Sequence, residues 1–158
     1  MPDAENVPYS LDLKTFEFAF PGPLRDQLVA AVLDGAKTST TGLVVDYEHW
    51  GDPLPRVGEL GAVLDSDERV VAVIEMTEVR VLPLADVDLR HALDEGEGYT
   101  TVAAWREVHE RFWHSDEMRE ALEDPAFTVD DATPVVAQRF RVVERVDPPG
   151  PKPTGGSL

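Results

Sequence analysis

The stretch Gly35-Ala36-Lys37-Thr38-Ser39-Thr40-Thr41-Gly42 constrains the fold of this chain more than any other. Leu24, Leu28, Ala31 and Val32 recur at helical spacing, with Arg25, Asp26 and Gln27 on the opposite side, so an amphipathic helix precedes it. Gly35 is placed to end that helix as its C′ residue. A lysine follows at once. A run of hydroxyl side chains then leads into a strand predicted over 39–45. An amine and several hydroxyls are thereby set on a helix-to-strand loop, where function concentrates.

The rest of the chain reads as alternating short elements. Phe16, Phe18 and Phe20 alternate with Glu17 and Ala19, as in a short strand or extended arm, before Pro21-Gly22-Pro23 breaks it. Residues 48–55 read as loop, with Gly51-Asp52-Pro53 as turn chemistry. A strand through Ala62-Val63-Leu64, a hairpin-like turn at 65–68 and a long strand from Arg69 to about Leu82 follow, the last continuous or bent by a bulge. Asp86 or Asp88 can cap a short helix ending near Leu93, and Thr100 or Thr101 a longer one bearing Val102, Trp105, Val108, His109, Phe112 and Trp113. Thr133-Pro134 opens a final strand through Val143. This pattern is α+β, with a small, partly closed β-barrel and flanking helices. The expected organisation is a flexible lead over residues 1–12, one folded domain over 13–146, and a disordered Pro/Gly-rich tail over 147–158.

Composition narrows the function classes. The 158 residues suffice for one domain with a sizeable core. The absence of cysteine excludes disulfides, zinc ribbons and thiol nucleophiles. No apolar run reaches the ~20 residues that a bilayer span needs. The polar start does not resemble a signal peptide, so a cytoplasmic location is expected. A net charge of -17 disfavours tight binding to long nucleic acid or to an anionic membrane, while leaving room for a local basic cleft. His49, His91, His109 and His114 show no zinc spacing, and no phosphate loop or dinucleotide fingerprint occurs, so no cofactor or metal is expected.

Two residues stand out chemically. Lys37 on the loop can deprotonate a neighbouring hydroxyl if its surroundings favour the free amine. Glu75 sits inside the apolar strand Val70-Val71-Ala72-Val73-Ile74-Glu75, where a carboxylate is costly unless it meets a cation or hydrogen bonds. Each also has a plain structural explanation: a cation suits a helix C-terminus, and a strand glutamate can form a fixed ion pair. Trp105 and Arg106 offer a stacking surface or simple packing. Tyr47 and Trp50 can stack on a base or cover the barrel mouth.

The chain resembles the ASCH family (activating signal cointegrator homology), whose members have a PUA-like β-barrel. The resemblance runs from about Phe16 to Val143. It is carried by the helix ending in Gly35-Ala36-Lys37-Thr38-Ser39-Thr40, then Leu54-Pro55-Arg56-Val57-Gly58-Glu59, Val73 to Val79, Gly96-Glu97-Gly98, Trp105-Arg106 with His109 and Phe112, and Gln138 to Val143. It implies a nucleoside- or RNA-related role. Small bacterial members include an amidohydrolase that deacylates N-acetylcytidine and a protein that cleaves single-stranded RNA. Carried over by residue, the hydrolase set falls on Lys37 and Thr40 of the loop and on Glu75 as the strand glutamate. Thr38, Tyr47, Trp50, Arg56, Arg106 and Arg139 are the expected substrate contacts, for a nucleoside or a single-stranded RNA. Many members carry a basic residue where this chain has Thr41-Gly42, and the helical region 86–124 exceeds the minimal hydrolase. The expected activity is amide hydrolysis of an N-acylated cytidine; an RNA-binding or ribonuclease module and a non-catalytic ligand-binding domain are the alternatives.

Overall fold

The computed structural model describes residues 13–146 and 148–150, so the lead over 1–12 and most of the tail lie outside the described residues. Gly150, within the stretch assigned to the tail, donates its amide to Val70 O at 2.7 Å.

The fold is α+β. Strand β1 (Lys14–Phe16) is followed by helix α1 (Pro23–Asp34), β2 (Ser39–Leu43), α2 (Val44–Trp50), β3 (Leu60–Leu64) and β4 (Val70–Pro83). Helices α3 (Leu89–Asp94), α4 (Val102–Trp113) and α5 (Asp116–Ala121) come next, and β5 (Pro134–Arg145) is the last regular element among the described residues. The strands form one sheet in the order β1-β3-β4-β5-β2. β1 runs parallel to β3, and the other neighbours are antiparallel. The outer strands β1 and β2 do not pair with each other among the described residues, so the sheet is open where a partly closed barrel was expected. Register shifts at Val73/Ile74 and Met76/Glu78 bend the long β4–β5 ribbon, in agreement with the expected bulge.

Local chemistry explains most element ends. Gly35 sits at φ 88 after α1, a conformation that glycine adopts without a Cβ penalty. Asp88 accepts from His91 N to cap α3, and Thr101 accepts from Ala104 N to cap α4. Two predictions fail: Val44 and Val45 open helix α2 instead of extending β2, and the helix runs on through Glu48, His49 and Trp50, expected as loop. Antiparallel pairing to β5 stops at Leu43↔Val135, and the chain turns away there.

Among the described residues two large apolar cores result, beside a small cluster of Ala62, Leu64 and Val70. Phe18, Leu28, Val29 and Val32 pack with Val63, Ile74, Met76 and Phe140 between α1 and the sheet. Leu43, Leu84, Trp105, Trp113, Met118 and Leu122 pack beneath α3, α4 and α5. Burial of such side chains supplies about 1.5–3 kcal/mol each. The polar loops after α1 and α3 meet at the seam between these cores. No helix among the described residues is long and apolar enough to cross a membrane.

Candidate active site

Backbone contacts fix the lysine loop before any side chain acts. Lys37 N donates to Ala31 O at 3.0 Å, Thr38 N to Asp94 O at 2.8 Å, and Phe140 N to Thr38 O at 3.1 Å. The loop is thus tied to α1, to the end of α3 and to β5. Across from it, Gly96 takes φ +71 and approaches the Ala36 carbonyl so closely that a Cβ would overlap it. This approach delivers Glu95 and Glu97 to Lys37.

Lys37 is 2% exposed. Its Nζ donates to Ser39 O at 2.9 Å, Glu95 O at 3.3 Å and Glu97 Oε2 at 3.1 Å, which uses all three ammonium hydrogens. Glu95 Oε1 lies 3.6 Å away, and the Phe18 ring centroid 5.6 Å. The charge is compensated, as burial demands.

Glu95 is the hub. Its Oε1 meets His109 Nε2 at 3.0 Å, and its Oε2 accepts from Thr41 Oγ1 at 2.6 Å and lies 3.3 Å from His91 Nε2. Because Thr41 spends its hydrogen on the carboxylate, the 2.7 Å contact between Thr41 Oγ1 and His91 assigns the imidazole hydrogen to Nε2. Burial pushes the Glu95 carboxyl upward, but Lys37, His109 and His91 outweigh it and hold it well below the usual carboxylate range. For His109 burial acts downward and is outweighed by the charge and hydrogen bond of Glu95, so its value is raised. Its Nδ1 faces Trp105 O at 2.9 Å, an acceptor only, so both ring nitrogens carry hydrogen. The ring stacks on Trp105 at 4.3 Å between centroids.

These groups form the floor of a cleft of about 200 Å³. Thr40, Tyr47, Tyr99 and Gln138 line it with the aromatic arm at Phe16 and Phe18. Tyr99 donates to Glu97 Oε1 at 3.0 Å, and burial followed by the Glu97 charge raises its phenol. Burial pushes the Tyr47 phenol up to about 12, against a hydrogen bond from Gln138. Both tyrosines are therefore neutral hydrogen-bonding groups. Among the described residues no cluster of His, Asp and Glu is arranged to hold a metal ion.

The sequence-predicted residues separate into two sets. Lys37, Thr40 and Tyr47 line the cleft. Glu75 is not a partner of Lys37; it accepts from Arg141 Nε at 2.9 Å on the neighbouring strand. Thr38 Oγ1 turns to Asp94 O, and Arg139 pairs with Asp94 at 2.7 Å. Arg106 is held by Glu110 and Asp131, each at 2.6 Å. Arg56 is exposed, and Trp50 is 60% exposed and set edge-on to His49. None of Thr38, Trp50, Arg56, Arg106 and Arg139 lines the cleft. Sequence reasoning gave no role to Glu95, Glu97 or Gln138 and left His91 and His109 without one. The available signal was the i, i+4 pair His91 and Glu95 running straight into Gly96-Glu97-Gly98.

The ASCH domain family model matches residues 16–144. A solved structure of a protein from Enterococcus faecalis superposes with a TM-score of 0.72 at 24% identity, covering 90% of this chain and 86% of that one. An ASCH domain from Lactobacillus crispatus gives a TM-score of 0.68 at 25% identity, covering 85% and 83%. A Zymomonas mobilis ASCH protein gives 0.51 at 10% identity, covering 89% and 74%, a likeness of fold. No curated protein matches the chain. With a family match over most of its length and a PUA-like β-fold in common with solved ASCH domains, the chain belongs to the ASCH domain family.

Proposed function

We propose that this protein is a hydrolase of the amide bond in a small, neutral N-acylated nucleoside, of which an N-acylated cytidine is the best match. The observation that carries this reading is a buried, charge-compensated Lys37–Glu95–His109 cluster lining an aromatic cleft that Thr40 also lines. A cleft of about 200 Å³ accommodates a base and its acyl group but not a folded polymer.

In the proposed reaction the oxygen of Thr40, or of a water beside it, attacks the amide carbonyl carbon. The C–N bond breaks, the leaving nitrogen takes a proton, and water completes an acid and an amine. Lys37, an ammonium, gives one proton to the leaving nitrogen and takes up the proton that the nucleophile releases, so it ends the step in the same form. Its longest hydrogen bond, 3.3 Å to Glu95 O, is the one most easily given up for substrate. Glu95 takes the role first expected of Glu75: it holds Lys37, and His109 and Thr41 hold Glu95. The Gln138 amide and the Tyr47 phenol offer hydrogen bonds to the base. The RNA reading loses support because Arg106 and Arg139, two of its expected cations with Lys37 and Arg56, are spent on carboxylates.

The test is chromatographic: purified protein with N-acetylcytidine, alongside Thr40→Val and Lys37→Ala, with folding checked by circular dichroism. Release of cytidine by the wild type, lost in folded Thr40→Val, supports the reading. Failure of the wild type to release cytidine from any of a panel of N-acylcytidines would sink it.

A further inference from the structure

Beside the first cleft lies a second, of about 170 Å³. Phe16, Glu17 and Tyr47 line both, so the two adjoin at these side chains, and a ligand reaching across them would occupy one trough. The second compartment adds Asp52, Glu59, Lys14 and Thr15.

The hydrogen-bond inventory of this trough is one-sided. Lys37 directs its three hydrogens at Ser39 O, Glu95 O and Glu97 Oε2 in the first cleft, and both nitrogens of His109 are engaged. Lys14 is exposed and faces Glu59 Oε2 at 3.8 Å, too far for a hydrogen bond, and it stands among three carboxylates, Glu17, Asp52 and Glu59. Arg25, behind the wall, gives its guanidinium to Glu17, to the Phe18, Ala19 and Asp65 carbonyls, and is 1% exposed. The buried cations at the trough are thus committed to protein acceptors, and the exposed Lys14 is outnumbered by Glu17, Asp52 and Glu59. A phosphate needs free cationic or N–H donors and would meet Glu17, Asp52 and Glu59 instead. Sugar hydroxyls are donors, and carboxylates accept them strongly.

We infer that the second compartment takes the hydroxylated, uncharged part of the substrate, a free sugar, and that the trough rejects phosphorylated forms. The selectivity for nucleoside over nucleotide then comes from carboxylates that outnumber the cation beside them. This rests on the hydrolase reading for the identity of the base, but its electrostatic core does not need turnover.

The experiment compares N-acetylcytidine with its 5′-monophosphate as substrates, and cytidine with cytidine 5′-monophosphate as ligands by calorimetry. The expected result is at least a roughly tenfold preference for the unphosphorylated member of each pair, a conservative size for like-charge contact at short range. Raising the salt from about 50 mM to about 500 mM should narrow the gap by screening. Asp52→Asn with Glu59→Gln should narrow it further. Binding of cytidine with this preference but no hydrolysis would overturn the hydrolase reading and leave the selectivity standing. Hydrolysis of both substrates with equal efficiency would do the reverse. Equal or tighter binding of the monophosphate, or binding of neither, would overturn the inference.

Discussion

Gly96 rests against the backbone of Ala36, and an added Cβ would lie 2.7 Å from Lys37 N. The loop that carries Glu95 and Glu97 can reach Lys37 only because residue 96 has no side chain. Its φ of +71 adds a second reason. Gly96→Ala should therefore destabilise the fold by about 2–4 kcal/mol, combining strain and displaced backbone. It should also reduce activity in the molecules that remain folded. Denaturant titration with an activity assay checks both, and a change in stability under about 0.5 kcal/mol would contradict the account.

Thr40 and Thr41 are adjacent but should behave oppositely. Thr41 bridges His91 and Glu95, both almost fully buried. Thr41→Val strips that hydroxyl and should cost about 1–3 kcal/mol of stability. Thr40→Val should change stability by under about 1 kcal/mol and abolish turnover. Equal effects of the two on stability would show that the division of roles is wrong.

Arg25 places a buried cation in the first turn of α1, where the helix dipole opposes it. It is retained for its bonds to Phe18 O at 3.1 Å and Ala19 O at 2.8 Å, which hold the arm that walls the cleft. Ala19 sits at φ 59, a left-handed conformation that this clamp sustains. Arg25→Gln should cost about 2–4 kcal/mol and raise KM more than it lowers kcat. A fall in kcat at constant KM would contradict a wall-positioning role.

The pH dependence follows from His109 and Glu95. His109 binds its proton more tightly folded than unfolded. Its contribution is present in full below the ordinary value of 6.5 and is lost as pH rises through the raised folded value. Glu95 has the opposite sign: its contribution is present above the ordinary 4.5 and is lost as pH falls below it. Stability should be greatest between those limits. His109→Gln should flatten the alkaline limb, as read by melting temperature against pH. An alkaline limb that persists in His109→Gln would exclude His109 as its source.

Much of this architecture is legible in the sequence, because local chemistry sets it. Gly35, Asp88 and Thr101 mark helix ends through backbone rules that need no tertiary information. The bulge-bent β4 shows in its length. What stays hidden is non-local. Val44-Val45 look like strand because they continue an apolar run, and only the loss of β5 pairing makes them helical. Glu75 drew attention as a charge in an apolar strand, yet its answer, Arg141, comes from a strand 66 positions away. Lys37 and Glu95 are 58 positions apart, and no spacing rule joins a loop after α1 to the end of α3. Closure of the sheet is equally invisible, since it depends on whether β1 and β2 meet.

The most direct test of the central claim sets two glutamates against each other. Glu95→Gln and Glu75→Gln are assayed with N-acetylcytidine beside the wild type, each checked for folding. The account predicts that Glu95→Gln loses at least about 100-fold in kcat/KM, a typical loss when a positioned acid–base partner is disabled, while Glu75→Gln stays within about threefold of wild type. Retention of activity by Glu95→Gln with its loss in Glu75→Gln would contradict the account and return the catalytic role to the strand glutamate.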